Sequence, residues 1–244
     1  MYGDNDYRKL IYKKYATCFQ GYEGNVDIAA DKRWGQAYKY FLRGWLPRRK
    51  DVVILEVACG RGRLLRFLKD QGYTDIAGVD ISPEQVSIAK RVTENVVENN
   101  ALDFLESTEK RYDLIIGLDI IEHFTKDEAI RFLKASFKTL KAGGRSIIQT
   151  PNADSPWGGT IRYGDFTHEI CFNPNALTNL LNLLGFQQIE AREGGPVIHG
   201  VVSFGRYVIW QLIRLFIKIW NLAETGSVGS NIYTRVFLIS AVKE

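Results

Sequence analysis

"ILEVACGRGR", residues 54–63, is the stretch on which the fold turns. The run that contains its start, "DVVILEVA" (51–58), is β-branched and almost wholly apolar, as in a strand covered on both faces. Glu56 lies near the end of that run. Small residues and two glycines follow at once, and "RGRLLRFLKDQG" then takes up helical spacing before a glycine stop. Strand, tight turn and helix form the opening unit of a parallel α/β sheet. The glycines let a ligand approach the backbone closely. They do not name the ligand. A dinucleotide turn needs G-x-G-x-x-G, whereas Arg63 stands three positions beyond Gly60. A P-loop needs Gly-Lys-Ser/Thr, which is missing. The carboxylate of Glu56 repels a pyrophosphate and suits a cationic ligand end.

Working outward, strand and helix patterns alternate. "TDIAGVD" (74–80) reads as a second strand. "SPEQVSIAKRV" reads as a helix with Ser82 at its N-cap and Pro83 in its first turn. "NVVEN" (95–99) is a short strand and "ALDFLES" a short helix. "YDLIIGLD" (112–119) is a fourth strand, and 126–144 an amphipathic helix stopped by two glycines. "RSIIQT" (145–150) is the fifth strand, "NPNALTNLLNLLGF" (173–186) a helix, "QQIEAR" (187–192) the sixth strand, and 232–244 the last. Alternation of this kind implies right-handed crossovers, with ligands at the carboxyl ends of the strands. Asp80, 24 residues after Glu56, ends strand two, where a carboxylate accepts ribose hydroxyls. Residues 1–46 show helical spacing, with Leu10, Ile11 and Tyr15, then Trp34, Tyr38, Phe41, Leu42 and Trp45.

The 244 residues, 45% of them hydrophobic, suffice for one core with a cap. A net charge of +4 with dispersed basic residues demands no nucleic acid. Cys18, Cys59 and Cys171 have no disulfide or zinc spacing, and read as buried small hydrophobes in a reducing compartment. The first residues carry no apolar leader, and no stretch reaches the ~20 apolar residues of a membrane span. A cytoplasmic globular protein is the expectation.

"ILEVACGRGR", "IAGVDIS", "NVVENNALDFL", "YDLIIGLDIIEHF" and "LKAGGRSIIQTPN" resemble, in order and spacing, the successive motifs of class I S-adenosylmethionine-dependent methyltransferases. The resemblance covers about residues 50–193 and the last strand. It implies a Rossmann-like, doubly wound sheet of seven strands with the last antiparallel. It places the methionine part of the cofactor on the turn formed by Glu56, Ala58, Cys59, Gly60 and Gly62. It places the ribose on Asp80, the adenine against Ile81, and the adenine amino group at Asn100 and Ala101. Leu118 and Asp119 complete the implied cofactor set. Ala58 stands where the family usually has glycine, and Asn100 where aspartate is usual.

Methyl transfer to a hydroxyl requires alignment and a proton acceptor. Asp119, Glu122 and His123 are spaced i, i+3 and i+4, so one helical turn can gather them. His168 lies in the loop after strand five, on the same rim. The four are similar to the metal set of small-RNA 2′-O-methyltransferases, and the Glu-His step to the ubiquinone-pathway O-methyltransferases. Three readings stay open: a Mg²⁺, Mn²⁺ or Zn²⁺ site on Asp119, Glu122, His123 and His168; metal-free catalysis with His123 or His168 as base beside Glu122; or a structural role in the loops. Neither Asn-Pro-Pro-Tyr nor Asp-Pro-Pro-Tyr follows strand four, which disfavours nitrogen acceptors.

Nearly forty residues, 194–231, separate strands six and seven. They are expected to cap the acceptor pocket. Within them Arg206, Trp210, Arg214 and Lys218 form one i, i+4 stripe on a very apolar helix, so 206–222 suits packing, a homodimer contact or a membrane surface. His199 reads as a packed loop histidine. The expected domains are thus a helical region at 1–50, a catalytic domain at 51–193 and 232–244, and a helical cap at 194–231. The cap and "GDFTHE" resemble methyltransferases of surface-polysaccharide biosynthesis. The expected activity is O-methylation of a sugar, glycan or other small polar acceptor. A phenolic or quinone-precursor acceptor, and a scaffold that binds the cofactor without turnover, are the alternatives.

Overall fold

The computed structural model describes residues 7–19 and 28–244. The chain enters through a short helix α1 (Tyr7–Tyr12), a π-helical turn (Tyr15–Phe19) and helix α2 (Ile28–Phe41). The helical reading of 1–6 and 20–27 lies outside the described residues. Then follow β1 (Val53–Val57), α3 (Arg63–Asp70), β2 (Asp75–Asp80), α4 (Pro83–Ala89), β3 (Val96–Glu98), α5 (Ala101–Ser107), β4 (Tyr112–Leu118) and α6 (Lys126–Thr139). The second half holds β5 (Leu140–Pro151), α7 (Gly158–Arg162), α8 (Pro174–Leu183), β6 (Gln187–Glu193), α9 (Val201–Thr225) and β7 (Val236–Val242).

The seven strands form one sheet in the order β3-β2-β1-β4-β5-β7-β6. All pair in parallel except β7, which is antiparallel to both of its neighbours. The order reverses at β1 and β4, so their carboxyl ends open the crevice in which such sheets bind ligands. Two apolar layers flank the sheet. One gathers Phe132, Leu133, Leu177 and Phe186 under α6 and α8. The other gathers Leu42, Trp45, Leu64, Leu65 and Val86 under α2, α3 and α4. The nearly all-apolar runs of β1 and β4 are buried from both sides, as their composition requires.

The helix expected over 126–144 ends at Thr139. Its two glycines serve a bulge at the start of β5 instead. Tyr112 pairs with Leu140, but Leu114 pairs with Arg145, so the strand carries extra residues there. Gly143 adopts φ 73°, and a Cβ on Gly144 would lie 2.8 Å from the Lys141 carbonyl oxygen. The start of α6 is as its sequence requires: Thr125 and Glu128 form a reciprocal capping box. Cys59 is buried and Cys171 half-buried, but Cys18 is exposed, against expectation. Among the described residues no helix is long and apolar enough to cross a membrane.

Candidate functional site

A cavity of 660 Å³ opens at the carboxyl ends of β1, β2, β4 and β5. Two strained residues frame it. Ala58, after β1, holds φ 53°, and Asp119, after β4, holds φ 55°. Left-handed backbone costs a residue with a Cβ about 1–2 kcal/mol. At both points the chain turns sharply out of a central strand. Gly62 closes the first turn at φ 74°, where a Cβ would meet Ala89 of α4 at 3.2 Å.

One half of the cavity follows this turn. Asp80 accepts from the Gly60 amide at 2.8 Å and the Ser82 amide at 2.9 Å, and its carboxyl edge lines the cavity. Ala58, Gly60, Ile81, Asn100, Ala101, Leu118 and Asp119 line it too. Three of the expected residues do not. Cys59 and Gly62 shape the turn from behind. Glu56 is buried, and its Oε2 has no hydrogen-bond partner among the described residues. Burial and the neighbouring Asp80 charge push the Glu56 carboxyl well above the usual carboxylate range. Asn100 lines the cavity and also has a local role. Its Oδ1 accepts from the Leu102 and Asp103 amides, so it caps α5.

A prediction follows from Glu56. An unfolded glutamate titrates near 4.5, and the folded one higher. Between those values the folded chain keeps a proton that the unfolded chain has lost, so stability falls as pH rises through that window. Glu56→Gln is expected to raise the ligand-free melting temperature by roughly 2–4 °C at neutral pH, for about 1 kcal/mol. The gain should vanish below about pH 4.5. Thermal melts across pH check this, and a variant that melts lower at neutral pH would refute it.

The other half gathers Glu122, His123 and His168. One donor atom from each lies within 4.8 Å of the others. The Glu122 Oε2 accepts from Thr150 Oγ1 at 3.1 Å, whereas its buried Oε1 has no partner among the described residues. Burial first, and the Asp119 charge second, raise the Glu122 carboxyl well above its ordinary value. His123 Nδ1 sits 2.8 Å from Thr167 Oγ1, and that hydroxyl donates to Asp165 Oδ1 at 2.6 Å. This polarity makes Nδ1 the donor and leaves Nε2 as an acceptor. His168 Nδ1 lies 3.1 Å from the Ile161 carbonyl oxygen. The two imidazoles meet edge to face at 4.8 Å. Burial, then His168, lower the His123 pKa to about 4.

Asp119 does not join this trio. An i, i+3, i+4 set needs a helix that starts at Asp119, but the turn is 3₁₀ and spans only Ile121–His123. Asp119 stands outside it in the left-handed region, and its Oδ2 accepts from Gln149 Nε2 at 2.8 Å.

The lid also differs from expectation. None of the cavity-lining residues comes from 194–231. The lid is built from Arg8, Tyr12 and Tyr15 near the start of the chain and from 160–168. Arg8 makes two 3.0 Å bonds to Glu128, Tyr7 OH donates to Glu169, and Tyr15 OH donates to Asp165 at 2.9 Å. Thr17 adds two bonds to Glu84. Helix α9 instead packs beside Glu193 and the segment 231–233, through Trp210, Arg214 and Asn221. His199 is exposed and lies outside the cavity lining.

A family model described as a methyltransferase domain matches residues 27–191. That is more than half of the chain. The chain belongs to the methyltransferase-domain family. Its sheet is the Rossmann-like one of the class I S-adenosylmethionine-dependent enzymes. A ubiquinone biosynthesis O-methyltransferase of Rickettsia bellii (strain OSU 85-389) is 32% identical to this methyltransferase over 109 residues, which are 42% of this chain and 43% of that protein. A mitochondrial ubiquinone biosynthesis O-methyltransferase of Dictyostelium discoideum is 28% identical over 119 residues, 42% of this chain and 36% of that protein. The matches therefore span less than half of either relative. A crystal structure of a methyltransferase from Archaeoglobus fulgidus superposes with a TM-score of 0.63 at 21% identity, covering 98% of this chain and all of that one.

Arg8, Tyr12, Tyr15 and Asp165 of the lid, and the buried Thr167 behind them, had no site role in the sequence reading. Their only signal in the sequence was the helical, tyrosine-rich spacing of the first residues and the "GDFTHE" stretch around His168.

Proposed function

We propose that this methyltransferase methylates a hydroxyl of a small polar acceptor such as a sugar, with His123 as the base. S-adenosylmethionine supplies a methyl on a sulfonium; the acceptor oxygen bonds to its carbon as the carbon–sulfur bond breaks, the pair staying on sulfur. The acceptor proton goes to His123 Nε2. The observation that carries this reading is the Asp165–Thr167–His123 chain, which holds the imidazole in the tautomer with Nε2 free. A base of pKa about 4 acts late in the displacement. By then the oxygen already bears the methyl and has become strongly acidic. Arg8, Asp165 and Arg235 line the acceptor half and give an acceptor with several hydroxyls its hydrogen bonds. Incubation with labelled S-adenosylmethionine and panels of sugars, nucleotide sugars and phenols tests the reading. O-methyl product on a sugar is expected, and product only on nitrogen would sink it.

A phenolic acceptor is the second reading, favoured by the Tyr12 ring edge-on to His123 at 6.3 Å and by the ubiquinone-pathway relatives. The same panel decides between the two.

The trio also fits a divalent cation. Glu122 Oε1 is buried without a partner among the described residues, and each imidazole uses Nδ1 on a protein oxygen, as metal-bound histidines commonly do. Glu122, His123 and His168 would hold the ion, which would lower the pKa of an acceptor hydroxyl. Chelation separates the cases. With His123 as the metal-free base, dialysis against EDTA is expected to leave turnover within about twofold. A loss of ~100-fold, restored by Mg²⁺, Mn²⁺ or Zn²⁺, would transfer the role to the metal.

A further inference from the structure

Helix α9 reverses the usual order of a surface helix, because its packed side is the polar one. Ser203 is buried, Arg214 pairs with Glu193 at 3.2 Å, and Asn221 Nδ2 donates to Tyr233 OH at 3.5 Å. The stripe of Arg206, Trp210, Arg214 and Lys218 thus turns its middle inward. The outer side is apolar along all 25 residues. At about 100° per residue, every side chain in an arc roughly 180° wide is apolar or glycine. Val201 is 89% exposed, Leu212 63%, Phe216 62% and Trp220 59%. The exposed apolar area is on the order of 1,000 Å², against the few hundred usual on a monomer.

A second copy of the helix would cover a stripe about 100° wide, leaving nearly half of the arc in water. A lipid surface covers the whole arc. The charges agree with lipid. Arg206 borders the arc on one side, and Lys218 lies just beyond Gln211 on the other; Glu224, the only acid on the helix, sits in the last turn on the Arg206 side, where it accepts from Trp220 Nε1 at 3.1 Å. Cations at the borders and aromatic side chains in the apolar face are the marks of a helix lying in a membrane interface, with the cations reaching up to headgroups. We infer that α9 docks in the plane of an anionic membrane surface, its apolar arc at the boundary of headgroups and acyl chains. It leaves β6 and returns to β7 on the sheet edge that carries the cavity, and Arg235 and Val236, where it returns, line that cavity. The docking stands independently of which acceptor is methylated.

Flotation of the full chain with vesicles tests this. Wild type is expected to float with equimolar phosphatidylcholine–phosphatidylglycerol vesicles and at least about tenfold less with phosphatidylcholine alone. Leu212→Glu with Phe216→Glu, both solvent-facing, should cut the bound fraction at least about tenfold while S-adenosylmethionine affinity is kept. Arg206→Glu with Lys218→Glu should remove the preference for anionic vesicles. Failure of the wild type to float with anionic vesicles overturns the proposal, whether the chain is then monomeric or is a dimer that the Leu212 and Phe216 substitutions split.

Discussion

His123→Asn is expected to lower kcat by about 10²- to 10⁴-fold while S-adenosylmethionine affinity stays within about twofold. Asparagine keeps a polar side chain next to Thr167 but has no acceptor at the Nε2 position. Thr167→Val should cost about tenfold, because the imidazole keeps Nε2 but loses the hydroxyl that orients Nδ1. The pH profile adds a reading that a packing role would not give. The acid limb for wild type should fall as pH drops through about 4, where protonation removes the base. An unburied histidine would lose activity near 6.5. A half-maximal point near 6.5, or an Asn variant of normal turnover, would end the base assignment.

Asp80→Asn is expected to weaken S-adenosylmethionine binding by about 10²-fold, measured by titration calorimetry. The carboxylate has one oxygen on the Gly60 amide and the other on the Ser82 amide, and both keep lone pairs for ribose hydroxyls. Hydrogen bonds to a charged group contribute about 1.5–3 kcal/mol each, and the amide loses one acceptor and the charge. Burial raises the pKa of Asp80, so the carboxylate is held against a solvation penalty. The amide relieves that penalty but leaves one of the two backbone N–H groups without its acceptor, so the ligand-free melting temperature should change little. A variant that binds the cofactor normally would rule out a role for Asp80 in holding it.

The sheet was legible because its signals are local. An apolar run, a glycine turn and an amphipathic helix each declare themselves within about a dozen residues, and their alternation dictates parallel pairing. The misread glycines at 143 and 144 show the limit. Two glycines after a helix pattern read as a stop, whereas the bulge that uses them depends on pairing with β4, 30 residues away in the chain. The site divides in the same way. Ala58, Gly60, Asp80, Glu122, His123 and His168 sit in or beside readable motifs. Asp119 was placed wrongly because its left-handed backbone breaks the helical spacing on which the reading depended. The capping bonds of Asn100 went unread because a residue that can face a ligand can equally cap the helix that follows it. The lid was hidden because tyrosines at helical spacing declare only a helix, and only docking on the completed sheet shows which of them face the cavity.

That docking has a kinetic consequence. Tyr7 meets Glu169 across 162 residues of chain, and Tyr15 meets Asp165 across 150. The segment that carries these tyrosines has no surface to settle on until β5 and the loop after it are in place. Contacts between such distant parts of a chain form late, because their closure entropy is repaid only at the end. During refolding from denaturant, the far-ultraviolet signal of sheet and helices should therefore recover before the ability to turn over an acceptor. The interval between the two measures how long the pocket stays open to water after the fold is otherwise complete.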